Sequence, residues 1–406
     1  MARRDAADVV VVGGGAIGGW SAYFARELGA RTVVVLEREV LGAGASPRSS
    51  GVVRAQAGTP ETVALGVWSA LFYASQPKRL PVDSGFRRMG YQLLAVTRAQ
   101  EREAHERMAM QRRVGLPVRW LDPSEAVAMN PTLDPAAFRG ATYTDVEGCI
   151  DPVRNVLAYT AALREAGVDV RERTAFLGVR LRGTRRPRVV GVETPAGVIA
   201  TERVILTGGP TLRAVGELIG VRIPVGAARH QVVVTEPHPA FSEQPIPMAF
   251  DVGAGLYWRP EDGGLLWGMS NPKERPGPAR EVDWVYLRRM RTRLARFVPG
   301  AKELGIRKVW AATIDYTPDH LPIVGPAIRP DGSVLEGTTV AAAAGHGMMW
   351  GPAVAKMAAD LALEGSTELT DASGFGLDRF DEHGRSRATA DLVALPFPSL
   401  IEDDAG

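Results

Sequence analysis

The stretch Asp8–Glu37, DVVVVGGGAIGGWSAYFARELGARTVVVLE, decides the fold. The apolar run Val9–Val12 leads into glycines at 13, 15 and 18; a helical pattern follows, and a second apolar run, Val33–Leu36, ends on Glu37. Strand, tight turn, helix, strand and acid form the context in which Gly-x-Gly-x-x-Gly binds a dinucleotide. Gly13 allows the turn, Gly15 lets the main chain approach a pyrophosphate, and Gly18 lets the helix pack close to the strand. The phosphates are expected at the helix N-terminus, beside Ala16 and Ile17, where free N–H groups and the helix dipole favour negative charge. Glu37, nineteen residues past Gly18, stands at the distance from which an acid accepts hydrogen bonds from a ribose.

Outward from this unit, 406 residues suggest about two domains, and 45% hydrophobic with 23% charged residues is the composition of a soluble globular protein. A net charge of +2 beside 48 basic and 46 acidic residues argues against nucleic acid or another polyanion as partner. The single cysteine, Cys149, excludes an intramolecular disulfide and a CxxC metal site, which makes a reducing cytoplasm the expected location. No apolar run reaches membrane-spanning length. Arg3-Arg4 precede apolar residues, but those residues are the nucleotide strand, so no signal peptide is read there.

Along the chain, Thr59–Tyr73 has helical spacing, with apolar residues at 63, 67 and 71 and at 65, 68 and 72. Pro77–Gly90, rich in Pro, Gly and Arg, is where the chain is expected to leave the nucleotide domain. Tyr91–Val96 alternates as a strand, and Thr97–Val114 reads as a charged helix with one solvated face. Asp151-Pro152 is a good helix start, with Val156, Leu157 and Leu163 turned inward. Val168–Arg173 and Val204–Thr207 read as further nucleotide-domain strands, and His230–Glu236, Gly255–Glu261 and Gly263–Met269 as an antiparallel sheet. An amphipathic helix is expected over Glu281–Phe297, a buried strand over Val334–Ala344, and a helix from about Met349 to Leu363. The polar tail after Gly365 is expected to wrap the surface. Nucleotide-type strand and glycine turn thus occur at both ends, which makes that domain discontinuous.

Four ordered blocks resemble the flavin-dependent D-amino-acid oxidase superfamily, on the side of glycine oxidase, sarcosine oxidase and dimethylglycine dehydrogenase. They are VVGGGAIGG…VVVLERE, GASPRSSGVVRAQ at 44–56, RVILTGG at 203–209, and WAATIDYTPDHLPIVG at 310–325 leading to AAGHGMMWGPAVAKMAADL at 343–361. The resemblance implies an α/β, Rossmann-like FAD-binding domain over 1–85, 145–225 and 310–370, and an α+β antiparallel-sheet substrate domain over 86–144 and 226–309, leaving 371–406 as a tail. It implies FAD contacts at Arg38 beside Glu37, at Ser46, Ser50, Gly51 and Val52, at Phe176 and Gly208, and at Gly345, His346, Gly347, Met348 and Met349. The last five are expected to open a helix whose N–H groups face the pyrimidine edge of a reduced flavin.

Arg54 matches a family arginine on the substrate side of the flavin, where a guanidinium holds a carboxylate bidentately. Arg259 is its rival or partner, Tyr257 a candidate pocket hydroxyl, and His346 a further candidate in the site, although neither His230 nor His346 is expected to be an essential base. Three departures set this chain apart from sarcosine oxidases: Ala312 stands where those enzymes attach flavin to a cysteine, Leu266 replaces an oxygen-activating lysine (with Ser270 at the position of its histidine neighbour), and Met349 replaces a second lysine. FAD is therefore expected to be non-covalent, and dioxygen stands beside a protein or quinone as alternative acceptors. Met348, Met349, Trp350, Trp258 and Trp267 make a more apolar pocket if they face it.

The reaction implied is oxidation of a C–N bond in an amino acid or N-alkyl amine, with hydride passing to flavin N5 and the imine hydrolysing in water. The alternatives are a 2-hydroxy-acid or polyol dehydrogenase, which needs a base for the hydroxyl proton, and a flavin subunit of a larger complex.

Overall fold

The computed structural model describes residues 5–400 apart from 243, 244, 280, 389, 392 and 394, so Arg3, Arg4 and the last six residues of the tail lie outside the described residues. Strand β1 (Val9–Val12), helix α1 (Ala16–Glu27) and strand β2 (Val33–Leu36) form the expected unit. β1 runs parallel between β2 and Val204–Leu206; Val334–Ala342 and Asp169–Arg171 continue the parallel sheet on either side. Every residue of β1 and β2 is buried, because helices or strands cover both faces, and that is why both segments read as unbroken apolar runs.

α1 lies on one face of this sheet. Its Trp20 meets Tyr23, Phe72 and Tyr159 edge-on at centroid distances of 5.7, 5.0 and 6.0 Å, an arrangement the ring quadrupoles favour. Helix α2 (Pro60–Arg79) brings Phe72 and Tyr73 to that cluster and is capped by Thr59, whose hydroxyl accepts from the Thr62 N–H. α2 runs past Tyr73 and through Pro77 to Arg79; Leu71 faces solvent rather than the core. Helix α3 (Arg98–Arg113) has the expected bounds, with Thr97 and Gln100 forming a capping box. Asp151 caps the helix Pro152–Glu165, whose Leu163 is buried as expected and whose Leu157 is exposed.

The second sheet has eight strands, in the order Ile306–Tyr316, Gly226–Thr235, Gly264–Ser270, Leu256–Glu261, Met248–Asp251, Tyr91–Ala95, Gly140–Thr144 and Arg119–Leu121. Neighbours are antiparallel except Met248–Asp251 and Tyr91–Ala95, which run parallel and join the two sequence-distant halves. Side chains alternate across it. Trp258 and Trp267 face the helix Trp284–Phe297, packing with Leu287, Met290 and Phe297, while Tyr257 and His230 face the nucleotide domain.

Two expected boundaries are corrected. The strand Ile306–Tyr316 carries residues 310–316 into the second sheet, because it pairs along nearly its whole length with Gly226–Thr235. The tail does not merely wrap the surface. Phe375, Leu377, Val393 and Phe397 are buried, and Arg379 forms a buried ion pair with Asp319 at 2.7 Å while donating to the carbonyls of Phe375 and Leu321. Arg379→Met leaves Asp319 buried without its partner, so the unfolding free energy should fall by about 3 kcal/mol, read from urea denaturation.

Candidate active site

A cavity of about 620 Å³ runs from the first glycine turn to the inner face of the second sheet. At the near end, Gly13 has φ +100°, and a Cβ there would lie 2.6 Å from Thr207 Oγ1. A Cβ on Gly18 would fall 1.9 Å from the Gly13 carbonyl oxygen, so only glycine lets α1 sit flush on the turn. A Cβ on Gly15 would meet only Ser46 Oγ, at 3.3 Å, which leaves that position open toward the cavity. α1 has no side-chain cap; the Ala16 N–H donates to Ser46 Oγ at 3.0 Å. Neighbouring N–H groups are left to meet an anion. Glu37 accepts from the N–H groups of Gly14 and Glu39 at 2.7 and 2.8 Å and still has lone pairs on the cavity side. Phe176, Thr207 and Gly208 line the same end, and exposed Arg38 stands at its rim.

Ser46, Ser50 and Val52 continue the lining toward the second sheet, while Gly51, at φ +75°, lies outside it and packs against the Ile150 carbonyl. Gly345–Met349 forms the far wall as a turn; the helix itself starts at Gly351, two residues later than expected. The turn is tightly made. Ala344 and Gly345 have φ of +50° and +82°, and a Cβ on Gly345 would lie 2.8 Å from the Phe397 ring. His346 packs tilted against Trp350, with ring centroids 4.3 Å apart, and neither of its ring nitrogens has a hydrogen-bond partner among the described residues. Burial, then the Arg54 cation and repulsion from any charge on neighbouring His320, hold it well below the usual histidine range. The Tyr73 hydroxyl donates to the Met348 carbonyl at 3.0 Å.

Beyond this turn stand Arg54, Tyr257 and His230. Arg54 is 3% exposed, its guanidinium lies 5.2 Å over the Phe250 ring, and its Nε has no hydrogen-bond partner among the described residues. A buried cation with open donors is set to receive an anion. His230 Nε2 and the Tyr257 hydroxyl are 2.6 Å apart, and His230 Nδ1 is 2.9 Å from Ser270 Oγ. Burial pushes His230 down to about 4 and raises the Tyr257 phenol, so both are neutral at physiological pH. Ser270, which departs from the family's histidine, thus holds His230 in place.

Not every residue singled out in the sequence lines the cavity. Arg259 is absent from the cavity wall: it donates to the Ser50 carbonyl at 3.0 Å and pairs with Glu261, supporting the loop rather than the substrate. Trp258 and Trp267 face away, and Trp350 lies beneath His346. Leu266 packs in an apolar cluster with Tyr257 and Phe250, outside the lining. Phe250, Asp315 and Leu395 line the cavity without having been singled out in the sequence. Phe250 and Leu395 carry no motif, and Asp315 was concealed inside a block read for its neighbours.

The glycine cradle, the open N–H groups, Glu37 and a cavity that continues to Arg54 fit an extended dinucleotide. Gly18→Ala should therefore purify with little or no bound flavin while keeping its far-UV circular dichroism, measured as visible flavin absorbance per protein.

A 4-methylaminobutanoate oxidase (formaldehyde-forming) of Paenarthrobacter nicotinovorans is 28% identical over 390 residues, 93% of this chain but 46% of that protein. This chain thus spans less than half the length of that relative. Glycine oxidase of Geobacillus kaustophilus is 26% identical, with 92% of this chain and 97% of that protein covered. Among solved structures, L-proline dehydrogenase from P. horikoshii shares the fold with a TM-score of 0.83 at 24% identity, covering 92% of this chain and 97% of that one. Residues 8–361 match the family described as DAO, FAD dependent oxidoreductase, and the chain belongs to that FAD-dependent family.

Proposed function

We propose that this protein oxidises a C–N bond in an amino acid or N-alkyl amine bearing a carboxylate. The observation that carries this is Arg54, a buried cation with open donors, next to the neutral His230–Tyr257 pair at the end of the cavity away from the glycine turn. Bound FAD supplies the acceptor for a hydride from the carbon beside nitrogen. Arg54 grips the substrate carboxylate and so fixes the direction of the C–H bond. Asp315 lines the cavity and Glu147 is buried close to Arg54, but burial raises both carboxyls, which weakens them as counter-charges for an ammonium, and the Arg54 cation opposes it. Both effects favour the neutral amine, whose lone pair the reaction needs. The Tyr257 hydroxyl, held by His230, offers the amine a neutral hydrogen-bond partner.

A 2-hydroxy-acid substrate is less well served, because alcohol oxidation needs a base and His230 at about 4 is a weak one. Ala312 provides no nucleophile for a flavin link, consistent with non-covalent FAD. Leu266, apolar and packed away, provides no cation to stabilise superoxide, which favours an acceptor other than dioxygen.

Anaerobic mixing with a panel of N-methyl and D-amino acids should bleach the flavin; if no amine does so, the reading is wrong. Arg54→Met should raise KM for a carboxylate-bearing amine roughly a hundredfold, the loss of a charged hydrogen-bonded contact of about 2.7 kcal/mol. Between pH 6 and 9 the reduction rate should show no titration of His230, since its shift places that step below the window. On admission of oxygen, reoxidation should be slow, and rapid stoichiometric peroxide would show an oxidase.

A further inference from the structure

Arg54 has no salt bridge of its own among the described residues, yet a carboxylate is buried close by. Glu147 is 0% exposed, and the Arg54 cation contributes to its electrostatics. Its Oε1 accepts from the N–H groups of Ala55 and Gln56, each at 2.6 Å, and its Oε2 accepts from Gln56 Nε2 at 2.8 Å. Both main-chain donors belong to the residues that directly follow Arg54. On the other side, α2 presses on the same segment: a Cβ on Gly66 would lie 2.5 Å from the Arg54 carbonyl oxygen. The counter-charge therefore holds the backbone that carries Arg54 and leaves its guanidinium donors for a ligand.

We propose that Glu147 is a positioning residue for carboxylate recognition, fixing the main chain of Arg54 and tuning, through its own protonation, how strongly Arg54 attracts an anion. The proposal rests on the reading of Arg54 as the carboxylate site. Burial raises Glu147 to about 7, while its hydrogen bonds from Gln56 and Ala55 and the Arg54 cation oppose that rise. Among the described residues, the phenols of Tyr91 and Tyr143 also feel Glu147, both raised by burial and neutral in this range. Arg54 is in turn faced by Arg107 on α3, pushed down to about 10 by burial and by Arg54, and by His346, held neutral. A carboxylate docked on Arg54 adds a negative charge and makes Glu147 take up a proton more readily. By linkage the same carboxylate binds more tightly when Glu147 is neutral, so affinity falls as pH rises through about 7.

The test is calorimetric titration of the FAD-loaded protein with acetate, at pH 6 and pH 8, in buffers of different ionisation enthalpy. With a coupling of about one pKa unit, the acetate Kd should rise about fivefold between those pH values, with net proton uptake on binding. Glu147→Gln keeps an acceptor for the Ala55 and Gln56 N–H groups and should flatten the change to under twofold, and Arg54→Met should abolish acetate binding. A pH-independent wild-type Kd, absence of acetate binding, or a Glu147→Gln protein that keeps the full slope would each overturn the proposal. If the variant loses its flavin, the wild-type proton count decides alone: no uptake rejects it. Because acetate is not oxidised, normal acetate linkage in a protein that no amine reduces would reject the amine reading and leave this one standing.

Discussion

The Gly13 carbonyl oxygen sits where a Cβ on Gly18 would be, and the architecture of the cavity depends on that contact. With α1 seated flush on its turn, the helix N-terminus opens into the cavity, and Trp20 reaches the cluster that includes Phe72 and Tyr159. The Thr207 hydroxyl, donating to the Val12 carbonyl at 2.5 Å, brings the neighbouring parallel strand to the same turn. A single methyl group at Gly18 would set packing of the helix against binding of the cofactor, and neither has room to yield.

The second sheet contributes through parity. Along Leu256–Glu261, Tyr257 faces the cavity and Trp258 the helix behind, so one face of the strand lines the cavity and the other supplies hydrophobic burial. His230 spans two strands, with Ser270 on one nitrogen and Tyr257 on the other, and burial keeps the imidazole neutral. Pairing the neutral dyad with a cation whose guanidinium donors stay open makes the far end of the cavity hospitable to an anion and hostile to a second positive charge.

Much of this was legible in the residues. The glycine spacing and the apolar runs around it are local signals, and β1, α1 and β2 form where those signals lie. Caps at Thr59, Thr97 and Asp151 were equally local, each a side chain meeting an N–H two or three residues away. What escaped was set by tertiary partners. Arg259 and Arg54 look alike in sequence, but Glu261 and the Ser50 carbonyl occupy one and leave the other open. The tail, polar in composition, hides alternating buried residues, and no periodicity in it foretells that Leu395 lines the cavity or that Phe397 stacks on Tyr316 at 4.9 Å.

That tail has a consequence for how the molecule is made. The Gly58 N–H donates to the Asp391 carboxylate across a sequence separation of 333 residues. During synthesis, the nucleotide turn, both sheets and Arg54 all emerge well before Leu395, which completes the wall, and Phe397, which packs against the Gly345 turn. Contacts of such long sequence separation form late, because the loop must close before they are rewarded. A nascent chain is thus in a position to hold the cofactor before its cavity is fully walled.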